Sequence, residues 1–132
     1  GKLALSRIAV LDGSTVGNCH INSHIDYAIR PAPAGVKDST LATPLEMTVS
    51  NDGNTLYVAA FGSSKVGVFS TADLETCTTS PGSFDPTAEA ANHISVSGGG
   101  PAGLVLDDQG DMDAANDRLY VLTRFDNGIS VI

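Results

Sequence analysis

Residues 44–58, PLEMTVSNDGNTLYV, decide the fold, because two short apolar runs lie on either side of a turn signal. Runs of four to six alternating or apolar residues bounded by turn formers are typical of β-strands. Asn51, Asp52 and Gly53 favour a tight reversal between the runs, since Asn and Gly tolerate positive φ. A third apolar run, KVGVF, follows at residues 65–69. The stretch therefore predicts an antiparallel meander.

The same pattern occurs again later in the chain. PAGLVLD at residues 101–107 matches the first run, RLYV at 118–121 the second and GISVI at 128–132 the third. A further match, RIAVLD at residues 7–12, corresponds to the run that begins at residue 65. Internal similarity at a fixed spacing indicates a repeat architecture. We expect one region over residues 1–132, made of a part-repeat (1–43), a repeat (44–100) and a truncated repeat (101–132).

The apolar runs and turn signals together predict the strands of each copy, and Thr71–Glu75 is expected to form no more than one helical turn. Both cysteines are placed in long loops. The predicted strands are residues 3–5, 7–11, 24–29, 45–49, 55–60, 65–69, 93–97, 102–107, 118–123 and 128–132.

The run of Pro, alternating apolar residues, Ser-x-Asp-Gly, Leu-Tyr-Val-Ala and Val-x-Val-Phe resembles the YVTN family of β-propeller repeats of bacterial surface and periplasmic proteins. The resemblance covers about two thirds of the chain and implies an all-β fold of antiparallel four-stranded blades, a partial β-propeller. It also implies a periplasmic or extracellular location. Because about four blades are the fewest that close a ring, we expect the rest of a larger propeller, another protein chain or a homo-oligomer to complete it. A free-standing sandwich of two sheets is the alternative.

Composition and charge exclude several partners. Asp and Glu number 15 against 7 Lys and Arg, and the formal charge of −8 would repel a nucleic-acid backbone or an anionic membrane surface. No apolar run approaches the roughly 20 residues that a membrane-spanning helix needs, so membrane insertion is not expected.

Cys19 and Cys77 occupy matching positions in two repeats, 58 residues apart. In an oxidising compartment such a pair suggests a disulfide. Equivalent positions in adjacent blades can also lie too far apart to bond. The sequence leaves the two outcomes open.

The acidic segment 107–117 is a candidate calcium site. Hard oxygen ligands suit Ca²⁺, but the segment departs from the EF-hand order and is also typical of a solvated hairpin loop. The candidate ligands are Asp107, Asp108, Asp111, Asp113 and Asp117.

Three other motifs give weaker indications of a haem, zinc or dinucleotide site. Cys19-His20 lacks the first cysteine of a haem-attachment motif, and His20, His24 and His93 are interpreted as ordinary surface or core histidines rather than zinc ligands. The glycines from Gly98 to Gly103 precede a predicted strand instead of a helix, so they fail as a dinucleotide motif. No cofactor other than calcium is expected in this segment.

Three functions follow as hypotheses. The first is a non-catalytic scaffold or recognition module. The second, implied by the resemblance alone, is the propeller portion of a haem-containing electron-transfer protein whose haem lies outside this segment. The third is a lactonase-like propeller hydrolase, for which Glu46, in a strand expected near the propeller axis, is the single supporting residue. No catalytic residue is predicted.

Overall fold

A computed structural model describes residues 5–110 and 116–132 of the chain. These residues form three antiparallel sheets, which we call sheets 1, 2 and 3. Sheet 1 contains β1 (Arg7–Asp12) and β2 (Thr15–His20); sheet 2 contains β3 (Pro44–Val49), β4 (Thr55–Ala60), β5 (Lys65–Ser70) and β6 (Ile94–Ser95); sheet 3 contains β7 (Pro101–Asp107), β8 (Arg118–Thr123) and β9 (Gly128–Val131).

The connection between β5 and β6 is partly helical. Helix α1 spans Thr71–Thr79, the short helix α2 spans Pro86–Glu89, and a 3-10 turn follows at Ala90–Asn92. Another 3-10 turn, Phe61–Ser63, joins β4 to β5. Neither α-helix of the described ranges has the length and apolar character needed to cross a bilayer.

Sheet 2 lies between sheets 1 and 3, and its strand β4 is covered on both faces. Along β4 successive side chains point to opposite faces. Leu56 and Val58 belong to a first core shared with sheet 1, whereas Tyr57 and Ala59 belong to a second core shared with sheet 3. Both faces of β4 are therefore covered, which explains why apolar residues follow one another in this strand instead of alternating with polar ones.

The first core joins sheets 1 and 2 and helix α1. Sheet 1 contributes Ile8, Cys19 and the partly buried Val10, and α1 contributes Leu74 and Cys77. The second core joins sheets 2 and 3, with Val66 of β5 facing three residues of the later copy: Leu104, Leu119 and Val121. The three sheets thus lie side by side in sequence order.

The predicted strands of the two later copies are found with ends that differ by at most one residue, apart from a much shorter β6. Sheet 2 lies within residues 44–100 and sheet 3 begins at Pro101, where the predicted repeats divide. The antiparallel β architecture is confirmed. Among the described residues the sheets have two, four and three strands, so sheet 2 alone is a four-stranded meander.

Two predictions for the first part of the chain are wrong. Residues 24–29 form turns instead of a strand, because the Asp26 carboxylate accepts a hydrogen bond from the Ala28 amide and the Ile29 amide bonds back to the Asp26 carbonyl. The missed strand is β2, which pairs with β1 through a reversal at Gly13, where φ is +56°. The predicted strand at 3–5 extends beyond the described residues, and Leu5 is not in a strand.

The prediction for helix α1 is also wrong, because the sequence indicated at most one helical turn and the helix spans nine residues. Ser70 caps the helix by accepting a hydrogen bond from the Asp73 amide at 3.3 Å. Leu74 and Cys77, three residues apart, are its buried side chains. This apolar face is too narrow to give a helical period in the sequence.

Candidate recognition surface

The connection between β2 and β3, residues 21–43, is a long loop whose two ends are joined by buried hydrogen bonds. The Asn22 side chain, which is buried, donates from Nδ2 to the Leu41 carbonyl at 2.6 Å and accepts the Leu41 amide at Oδ1 at 3.0 Å. Leu41 itself is fully buried in the first core. An amide side chain that satisfies both main-chain groups of a buried residue fixes the loop at that point.

A second anchor comes from the β4–β5 connection. The Ser63 hydroxyl donates to the Thr40 carbonyl at 2.9 Å and accepts the Ala42 amide at 2.7 Å. Main-chain bonds from Phe61 to Thr43 and from Gly62 to Ala42 continue this contact. The loop is therefore attached to the β4–β5 connection of sheet 2 and packs into the first core through Leu41.

His24 belongs to the inner side of this loop. Its Nε2 lies 3.4 Å from the Val36 carbonyl and 3.3 Å from the Thr40 hydroxyl, which donates to the same carbonyl at 2.6 Å. His24 thus stabilises the loop through its contacts with Val36 and Thr40.

Two neighbouring clefts lie along the loop, and both are lined by Ile25, Thr40 and Ala42. The first cleft has a volume of about 610 Å³ and the second about 560 Å³. Together they form a continuous polar and apolar surface that the loop shares with the start of β3 and the β4–β5 connection. We call it the loop surface. Its other lining residues include Arg7, Asn22 and Tyr27 in the first cleft and Val36, Lys37, Asp38 and Lys65 in the second.

The loop surface has a local charge opposite to that of the whole chain. Arg7, Lys37 and Lys65 line it, and Asp38 is the one acidic residue among the lining side chains. Lys65 Nζ donates a hydrogen bond to the Asp38 main-chain carbonyl, which leaves the Asp38 carboxylate out of that contact. A chain of net charge −8 therefore presents three of its seven cationic side chains on one loop surface.

Cys19 and Cys77 are joined by a disulfide, with the sulfur atoms 2.08 Å apart and the Cα atoms 5.5 Å apart. The expectation that both lie in loops is wrong, because Cys19 is in β2 and Cys77 in α1. The bond ties the helix of one repeat to the sheet of the preceding one. The two cysteines therefore do not sit in equivalent structural positions, although the sequence offset suggested that they do.

The candidate calcium ligands are only partly within the described ranges. Asp107 and Asp108 accept hydrogen bonds from the Gln109 and Gly110 amides, at 3.3 and 3.0 Å, as in ordinary turns. Asp117 precedes β8, and Asp111 and Asp113 lie outside the described residues. In residues 5–110 and 116–132 no group of three or more His, Cys, Asp or Glu side chains is arranged to hold a metal ion. Calcium binding at this segment stays a prediction.

The glycine segment 98–103 leads into strand β7, as the sequence indicated, and not into a helix. A Cβ at Gly98 would lie 2.5 Å from the Thr123 hydroxyl, and one at Gly99 would lie 2.6 Å from the Phe125 ring. Such distances are too short for a side chain, so the glycines serve the close packing of the β8–β9 turn. Glu46 of β3 lies beside the same strand, with Oε2 3.4 Å from the Cβ position at Gly103.

The largest resolved pKa shift belongs to His93, in a contact that sequence reasoning missed. Burial, with a smaller contribution from Lys65, lowers the pKa of His93 to about 4. Its Nδ1 accepts the Val68 amide at 3.3 Å, and its ring packs edge-on against Phe69 at 5.2 Å. The neutral His93 side chain therefore attaches the end of the helical connection to strand β5.

Comparisons with known proteins give a likeness of fold alone. No family model matches the chain, and no curated protein matches it. Among solved structures the chain is similar to a hydrazine synthase of Kuenenia stuttgartiensis, with a TM-score of 0.64 over 97% of this chain and 14% sequence identity. The chain spans 34% of the length of that protein. This chain therefore shares the fold of about a third of that protein.

Proposed function

We propose that the chain is a section of a β-propeller that acts as a non-catalytic scaffold or recognition module in a periplasmic or secreted bacterial protein. Sheets 1, 2 and 3 are, in this proposal, parts of three consecutive YVTN-like blades. The loop surface is the contact face for a protein partner.

One observation carries the proposal. Residues at equivalent positions in successive copies face the adjacent sheet on the same side, the next sheet for one position and the preceding sheet for another. Ile8 of β1 faces sheet 2, and its sequence equivalent Val66 of β5 faces sheet 3. Likewise Leu56 of β4 faces sheet 1, and its equivalent Leu119 of β8 faces sheet 2. A unit that is added repeatedly in one direction produces this relation, as blades do around a propeller axis.

The outer face of sheet 3 supports a continuing array. Tyr120, Leu122, Ile129 and Val131 share this face, because β8 and β9 pair Tyr120 with Val131 and Leu122 with Ile129. Ile129 is 69% exposed and Val131 58% exposed, although their sheet 2 counterparts lie on the face toward sheet 3. A contiguous exposed apolar face indicates an interaction surface.

The location and the recognition role have separate support. A disulfide persists in oxidising compartments, and the Cys19–Cys77 bond therefore favours a periplasmic or extracellular protein. Binding residues are often carried on loops that a rigid scaffold positions. The loop surface, with two clefts and the cationic side chains of Arg7, Lys37 and Lys65, fits that role and suits a partner with acidic groups.

The recognition role is tested by site-specific photo-crosslinking in cells. A photoreactive phenylalanine analogue replaces Tyr27 on the loop surface, or, as the control, the exposed Phe125 on the β8–β9 turn. We expect crosslinks to one defined protein from position 27 and none to that protein from position 125. Equal crosslinking at both positions, or no protein crosslink at position 27, would refute the recognition role.

A second candidate is the propeller portion of a haem-containing electron-transfer protein whose haem site lies elsewhere. The resemblance of the repeats to propellers of extracytoplasmic bacterial proteins motivates it, and the likeness to about a third of a hydrazine synthase chain concerns the fold alone. A visible haem absorption band in the natural full-length protein would favour this candidate. A spectrum without that band would remove it.

A further inference from the structure

One edge of strand β1 is unpaired among the described residues, whereas the corresponding edge of β5 is paired with β4. In the described residues β1 pairs with β2 alone, over all six positions from Arg7 to Asp12. Its equivalent in the next copy, β5, pairs with β6 on one side and with β4 on the other. An unpaired strand edge presents main-chain donors and acceptors that a further strand can satisfy.

An apolar cleft of about 260 Å³ lies where residues of β1 meet β3 and α1. The side chains around it are largely aliphatic, with Thr71 and Glu75 adding polar atoms. The aliphatic residues that matter for the argument are Ile8, Leu11, Met47, Val49, Leu56 and Leu74.

The neighbouring copy shows what normally covers this position. Leu104 and Leu106 of β7 correspond to Met47 and Val49 of β3 in the repeat alignment. Leu104 is 5% exposed and Leu106 half-buried, because Tyr57 and Ala59 of β4 pack in the same core. Met47 and Val49 are instead 52% and 47% exposed. The uncovered residues and the open edge therefore mark one place at which a further strand would fit.

We propose that the open edge of β1 is a strand-addition site, which takes an extended protein segment of the β4 type. The added strand would pair antiparallel with β1 and direct one large and one small apolar side chain, two residues apart, toward Met47 and Val49. Main-chain hydrogen bonds would supply the affinity and the alternate side chains the specificity. The assignment rests on the blade-like repeat of the proposed function and continues the existing contact between sheets 2 and 3.

The test uses a synthetic peptide with the sequence of residues 54–61, NTLYVAAF, added to the purified chain. We expect saturable binding by fluorescence anisotropy and slower amide exchange over residues 7–12. Met47→Lys should weaken binding at least tenfold, because it places a charge against the added strand. The matched control is Ile29→Lys, an exposed apolar residue in the turns of residues 24–29, which should leave binding unchanged.

Two altered peptides separate strand pairing from general stickiness. A peptide with Asp at the positions of Tyr57 and Ala59 loses the alternate apolar side chains, and one with N-methylated alternate amides loses the edge hydrogen bonds. Neither should bind.

Several results would overturn the assignment: no binding of the parent peptide, equal binding to Met47→Lys, or exchange protection confined to sheet 3. The assay needs no natural partner. A negative result in the peptide-binding assay would not refute the recognition role, because the crosslinking test of the loop surface decides that role separately.

Discussion

At the residue scale, a few buried polar groups and one covalent bond determine how the loops are held. Cysteine spacing raised the Cys19–Cys77 disulfide as one of two outcomes, but not the strand and helix that carry it. Asn22, Ser63 and His93 were not identified, because each contacts a residue 19 to 25 positions away in the sequence. A single Asn, Ser or His in a loop gives no periodic signal that would mark it.

The disulfide should supply a large part of the stability. The double substitution Cys19→Ala/Cys77→Ala is expected to lower the free energy of unfolding by about 3–4 kcal/mol, since the bond closes a loop of 58 residues. Urea unfolding of the full chain measures the loss. Reduction of the wild-type protein should reproduce it and should leave the variant unchanged. A loss below about 1 kcal/mol would contradict this role.

Asn22→Ala should destabilise the loop surface. The Leu41 amide and carbonyl would lose their partners, which costs about 1–3 kcal/mol for groups of this kind. Urea unfolding gives the free energy, and faster amide exchange over residues 21–43 locates the effect. The control Asn18→Ala alters an exposed residue in β2 and should change stability by less than about 0.5 kcal/mol. Equal effects of the two substitutions would show that the Asn22 contact does not hold the loop.

His93 should make stability depend on pH. Its pKa is about 4 in the folded chain and ordinarily 6.5, so the unfolded chain binds a proton first as the pH falls. The full contribution of His93 is therefore present above pH 6.5 and is lost progressively from pH 6.5 to about 4. His93→Asn keeps an acceptor for the Val68 amide and removes the titration. Thermal unfolding at several pH values should show a steeper decline for the wild type, and parallel curves would refute this assignment.

At the element scale, the sequence predicted the strands of the later copies because they alternate or run apolar between strong turns. Strand β4 is the clearest case, since its two faces fill two different cores. Strand β2 was missed because TVGNCH holds two apolar side chains, of which Val16 is exposed and Cys19 alone is buried. Helix α1 was missed because two buried residues in nine give little amphipathic pattern.

The contact between α1 and β2 gives a prediction for Gly17. A Cβ at this position would lie 2.2 Å from the Thr78 Cβ, so Gly17→Ala must push the helix away from the sheet. We expect a loss of about 1–3 kcal/mol in the free energy of unfolding, as for overpacked cores. Gly82→Ala is the control, because a Cβ there meets nothing within 4 Å. Urea unfolding that ranks Gly82→Ala as the more damaging change would contradict the packing described for α1.

At the scale of the whole molecule, the three sheets lie in the order of the predicted copies. The predicted copy boundaries rest on proline and tyrosine positions that recur in the sequence. The loop surface was not, since its residues come from β1, loop 21–43 and the β4–β5 connection. Sites assembled from separate segments depend on tertiary packing that a local pattern does not encode.

The most direct test of the repeated, one-directional stack is an experimental structure of the natural full-length protein. We expect a further antiparallel sheet to pack over Tyr120, Leu122, Ile129 and Val131, as sheet 3 packs over the equivalent face of sheet 2. A structure in which those four side chains face solvent, with residues 5–132 forming a closed unit on their own, would contradict the account.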